Sequence, residues 1–134
     1  MGAVAVARLV SAGLNPVLTP AGFAEGQWGA DDRNERGQII YCAGHDEFSD
    51  RYPWAPQAND HERGLGACID LIIEVSGMGT VEFVDLEALS LEETLRRVGY
   101  AEEASRSAEL MGRPLAEALP ALAAILQRMF EVRQ

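Results

Sequence analysis

The sequence predicts a two-layer α+β domain: a three- to four-stranded antiparallel sheet packed on one face by N- and C-terminal helices. Three observations carry that prediction. "ACIDLIIEV" at 67–75 alternates strictly, with Ala67, Ile69, Leu71, Ile73 and Val75 on one side and Cys68, Asp70, Ile72 and Glu74 on the other, as a strand with one buried and one wetter face does. "SGMG" at 76–79 leads at once into "TVEFVDLEA", and so short a connection pairs two strands antiparallel. The last third places Leu115, Leu119, Leu122, Leu126 and Met129 along one helical stripe, which Ile125 and Phe130 widen. A chain of 134 residues argues for a single domain able to bury its own core. It divides into an N-terminal helical segment (1–23), a sheet region (24–89) with a long loop at 44–66, and C-terminal helices (90–134).

The elements follow in order. "AVAVARLVSA" at 3–12 reads as a short helix with Val6, Leu9 and Val10 on one face, stopped by Gly13. Asn15 as N-cap and Pro16 at the first helical position suggest a further turn. Gly22 should end that turn and Phe23 should enter the core. Residues 24–38 are polar and glycine-rich, a strand fragment around Trp28 followed by a turn. "IIYCA" at 39–43 has strong β-propensity. "HDEFSDRY" at 45–52 can make a short helical turn ended by Pro53. "SLEE" at 90–93 is a capping box, Ser90 at the N-cap and Glu93 at N3. The helix it opens should stop at Gly99, a second should run 101–111 to Gly112, and a third, with Pro120 inside it, should kink or restart near Leu119.

Composition excludes several functions. The apolar fraction is 48% and the charged fraction 24%, values of a folded chain rather than a disordered one. A net charge of −10 opposes nucleic-acid phosphates and favours a basic partner. All cationic side chains are arginine; lysine is absent. A P-loop lysine, a lysine Schiff base and serine–lysine nucleophile pairs are therefore ruled out. No run approaches the roughly 18 apolar residues of a membrane span, and the apolar start lacks the basic opening of a signal peptide. Two cysteines do not make a disulfide scaffold, so the expected setting is the cytoplasm, with free thiols and no cofactor.

Chemistry concentrates in "YCAGHDEFSDRYPWAPQANDHERGLGAC" at 41–68, which holds both cysteines and both histidines. Cys42, His45, His61 and Cys68 are the donors zinc prefers, although the H-x₆-C spacing is loose. Cys42 with His45 as base and Asp46 as orienter would make an activated thiol, but three residues along a strand place two side chains on opposite faces. Asp46, Glu47 and Asp50, or Asp70 and Glu74, are carboxylates of the kind that hold Mg²⁺, and equally what a solvated surface carries. Phe48, Tyr52 and Trp54, set among acids and prolines beside Arg51, are either anchors for a partner or rings that pin the loop to the core.

The reading that these observations favour is a small acidic protein-interaction domain, in the manner of an immunity or antitoxin-like inhibitor, an adaptor or a dedicated chaperone. It would contact a protein partner of basic character through Asp46, Glu47, Phe48, Arg51, Tyr52 and Trp54. The alternative is a small enzyme or ligand-binding domain in which Cys42, His45 and Asp70 converge on a pocket. The stripe of the last helix also leaves room for a homodimer.

Overall fold

The computed structural model describes residues 3–30, 39–55, 68–87 and 89–131. The chain runs α1 (Ala3–Ala21), β1 (Gln27–Ala30), β2 (Ile39–His45), α2 (Phe48–Arg51), β3 (Ile69–Val75), β4 (Val81–Leu86), β5 (Leu89–Ser90), α3 (Leu91–Arg97), α4 (Ala101–Leu110) and α5 (Leu115–Met129). The strands form one sheet in sequence order, β1-β2-β3-β4-β5, antiparallel throughout. Four strands of ordinary length and a two-residue edge strand thus realise the predicted two-layer α+β architecture.

Strand parity sorts the sheet into two faces. Ile39, Tyr41, Ala43 and His45 of β2 are buried, as are Ile69, Leu71, Ile73 and Val75 of β3. The register places Tyr41 beside Ile73, and Ile73 beside Val84. These residues join the core that α1 fills with Val6, Val10, Leu14 and Leu18, and α5 with Leu115, Leu119, Leu122, Ile125, Leu126 and Met129. The opposite face is wetter: Ile40, Cys42, Ile72, Phe83 and Asp85 are half-buried and Asp70 is exposed.

The N-terminal helix departs from expectation. Gly13 does not stop it, and no second turn starts at Asn15; one helix runs from Ala3 to Ala21 through Pro16 and Pro20. The reason is tertiary. Val10, Leu14 and Leu18 are buried one turn apart along a single face, and that burial outweighs the local penalties of glycine and proline. Gly13 marks where α5 crosses: a Cβ there would lie 3.4 Å from the Leu119 side chain. Pro120 likewise causes no restart, since α5 is continuous through it. Gly22, with φ +102°, ends α1 as expected, and Phe23 is buried.

The remaining elements follow their signals. Ser90 Oγ accepts from the Glu93 N–H at 3.1 Å, the predicted cap of α3. Glu103, buried on α4, takes an ion pair from Arg128 of α5 at 2.7 Å. The 76–80 hairpin closes with Ser76 N–H to the Thr80 carbonyl at 2.8 Å. Its far side is held by the α4–α5 connection, where Gly112 N–H meets the Val81 carbonyl at 2.7 Å and Leu115 N–H meets that of Gly79 at 2.9 Å.

Two glycines give opposite expectations. A Cβ on Gly26 would fall 1.9 Å from Tyr41 Cζ, so Gly26→Ala must displace a fully buried ring and should cost about 2 kcal/mol or more. Gly13→Ala adds a methyl at ordinary contact distance inside a helix and should be neutral or stabilising, by up to about 1 kcal/mol. Urea midpoints at unchanged slope are the measurement.

Candidate functional site

The segment 45–52 closes the C-terminus of α1. A helix leaves its last carbonyls without intrahelical partners. Here Phe23 N–H returns to the Leu18 carbonyl at 3.0 Å and Gly22 N–H to that of Thr19 at 3.1 Å, the paired bonds of a Schellman turn. The carbonyls of Pro20 and Ala21 remain. Ala21 accepts from His45 Nε2 at 3.0 Å and from the Tyr52 hydroxyl at 2.8 Å, and Pro20 accepts from the Arg51 guanidinium. A carbonyl can only accept, so Nε2 carries the imidazole proton. Nδ1 is then free to accept the Glu47 N–H, at 3.1 Å. Gly22 is required twice: by its positive φ, and because a Cβ would fall 2.4 Å from His45 Nε2.

Aromatic packing surrounds this junction. His45 meets Phe23, Phe48 and Tyr52 edge-on, at centroid distances of 5.1, 5.4 and 6.0 Å. Phe130, just past α5, lies 5.3 Å from Phe23 and 5.4 Å from Tyr52. Phe48 is 0% and Tyr52 1% exposed. These two rings therefore cannot be surface anchors, and the contact set expected from the sequence is corrected: they pin the segment to the core. Burial pushes the Tyr52 hydroxyl above its ordinary range, with Arg51 pulling partly the other way. Of the remaining expected contacts, Asp46, Glu47 and Arg51 are exposed and Trp54 is half-buried.

The catalytic and metal constellations do not assemble. Cys42 and His45 occupy opposite faces of β2, the thiol half-buried on the wetter face and the imidazole in the core, so no nucleophile–base pair exists between them. Asp70 does lie beside Cys42, and its effect is opposite to activation. Burial raises the thiol pKa first; the Asp70 charge, a thiol hydrogen bond to that carboxylate and the charge of Glu87 raise it further. For zinc, Cys42 and His45 diverge. Cys68 is exposed with its Sγ 4.0 Å from the Asp46 carbonyl, and His61 lies outside the described residues. Among the described residues no group of three or more metal-ligating side chains converges, which holds equally for the acidic set Asp46, Glu47, Asp50, Asp70 and Glu74. None of the described helices is long and apolar enough to cross a membrane.

What the fold does form is a cleft of about 390 Å³ beside the junction. Tyr52, Trp54, Val98 and Tyr100 wall it, and Arg51 and Glu131 stand at its rim. Trp54 packs on the buried cluster, 5.5 Å from both Phe48 and Tyr52. The sequence pointed to Trp54 and Arg51; Val98, Tyr100 and Glu131 carried no signal, because they arrive from α3, the α3–α4 turn and the end of α5. The chain matches no family model, no curated protein and no solved structure.

Two expectations follow. Tyr52→Phe should cost about 1 kcal/mol, since the Ala21 carbonyl keeps His45, whereas His45→Ala removes a buried ring and orphans the Glu47 N–H, for about 2–4 kcal/mol. Chemical unfolding ranks the two. For Cys42, a raised thiol pKa means less thiolate at neutral pH, so alkylation should accelerate only as pH climbs above the free-thiol range, and Asp70→Asn should shift that rise to lower pH. A rate at pH 7 exceeding that of exposed Cys68 would contradict this.

Proposed function

We propose that this chain is a protein-interaction domain without catalytic activity, and that the cleft at Trp54 is where a partner is anchored. The observation that carries the reading is the half-buried Trp54, held on a rigid aromatic base and facing a concavity of side-chain size. Large rings fixed in advance bury area at little entropic cost, which is how interface anchors work. The exposed Asp46 and Glu47 lie just before α2, and the net charge of −10 gives a basic partner a faster encounter. An inhibitor, an adaptor and a dedicated chaperone all fit this description. The raised thiol pKa of Cys42 and its separation from His45 weigh against the enzymatic alternative.

Trp54→Ala and Phe48→Ala should separate binding from folding. Trp54→Ala should remain folded at 25 °C, losing about 1–2 kcal/mol for a half-buried ring, while Phe48→Ala should lose about 3–5 kcal/mol. In affinity purification from native cytosol, the wild-type chain should retain a partner that high salt releases and that Trp54→Ala fails to hold. Undiminished retention by folded Trp54→Ala would overturn the reading.

A further inference from the structure

The cleft has a chemical preference that can be read from its walls and from the protein's own arginines. Its rings are tyrosine and tryptophan, whose faces carry the negative end of the ring quadrupole and attract cations, tryptophan most strongly. The protein already uses two of these faces in this way. Arg51 sits over Tyr52, its guanidinium carbon 5.8 Å from the ring centroid, and Arg128, which does not line the cleft, sits over Tyr100 at 5.9 Å. Among the described residues no arginine is placed over Trp54, the ring with the greatest affinity for one.

The charges at the rim allow a further cation. Arg51 lines the cleft but donates to the Pro20 carbonyl, which ties it to the end of α1. Glu131, exposed, lines both this cleft and the neighbouring furrow formed by Pro16, Pro20 and Phe130. An acidic and a basic side chain thus both line the cleft, and the chain as a whole carries 21 acidic residues against 11 arginines.

We infer that the cleft receives an arginine side chain from the partner, its guanidinium stacked on Trp54 and paired with Glu131. This rests on the interaction reading above and names the chemistry of the anchor. Arginine suits the site better than lysine, because a planar guanidinium can stack on a ring while donating in its own plane to a carboxylate. The half-buried position of Trp54 shields the contact from water on one side, and desolvation strengthens such contacts.

The test uses the full chain, ¹⁵N-labelled, and three capped tripeptides, Gly-X-Gly with X as arginine, lysine or citrulline. Citrulline keeps the shape of arginine and removes the charge. The Trp54 indole N–H signal is assigned by its loss in Trp54→Phe, which separates it from Trp28. The arginine peptide should shift that signal saturably, citrulline should bind about tenfold or more weakly, and Glu131→Gln should weaken arginine binding several-fold. Unchanged dispersion of the remaining amide signals verifies that the variants are folded. Equal binding of citrulline, or no movement of the Trp54 signal, overturns the arginine assignment. If the tripeptides fail while Trp54→Ala still loses a captured partner, the assignment falls and the interaction reading stands; if Trp54→Ala also keeps its partner, both fall.

Discussion

Two backbone carbonyls at the end of α1 organise one side of this molecule. A buried carbonyl without a partner costs roughly 1–3 kcal/mol; that of Ala21, a residue 4% exposed, lies against the core, while that of Pro20 sits at the exposed edge beside it. Their partners come from 24 and 31 residues downstream. Once His45, Arg51 and Tyr52 take up these bonds, much else is determined. The imidazole is fixed in one tautomer, and Glu47 N–H has its acceptor. Phe48 is carried inward on the single turn of α2, and Phe130 closes the ring cluster from the end of α5. Gly22 is confined to glycine by both its φ and the imidazole beside it. The ends of α1, β2 and α5 thus meet over one junction, and α2 serves as its latch.

Local signals were legible wherever a residue's role is set by its near neighbours. The alternation of 67–75 gave the faces of β3. Ser90 and Glu93 marked the start of α3, and Gly22 with Phe23 marked the end of α1. Where a role is set across the fold, the same kind of reading failed. Gly13 and Pro16 look like breaks because their penalties are local, while the compensating burial of Leu14 and Leu18 against the core is not. Phe48 and Tyr52 look like an exposed recognition loop because acids surround them in sequence. In the fold those acids face outward on one turn while the rings face inward to carbonyls that no local pattern announces. The cleft was half legible for the same reason: Trp54 belongs to the conspicuous segment, but Tyr100 and Glu131 reach it only through the packing of α3 and α5.

Strand parity separates groups that the sequence places side by side. Cys42 and His45 are three residues apart and therefore on opposite faces of β2, so the nearest thiol and imidazole in the chain never meet. Each is instead committed to its own surroundings. The imidazole joins a hydrogen-bonded junction in the core, and the thiol sits near the Asp70 charge on a face whose half-buried Asp85 is itself pushed toward the neutral form by burial. Carboxylates gathered near a protonated thiol oppose nucleophilic chemistry there. His45 is thus accounted for by architecture, and Cys42 by surroundings that hold its proton.

Tyr52 belongs to both the junction and the cleft. Its hydroxyl holds the Ala21 carbonyl while its ring forms a wall beside Trp54, at 5.5 Å. Arg51 is divided in the same way, between the Pro20 carbonyl and the rim. A partner seated against Trp54 would therefore rest on groups already immobilised by the folding of α1. That lowers the ordering cost of binding, because rotamer freedom lost on folding is not lost again on association. It also means that weakening the junction should loosen the cleft even where no cleft residue is altered. A cleft wall built beside a helix cap draws its rigidity from hydrogen bonds on the far side of the rings.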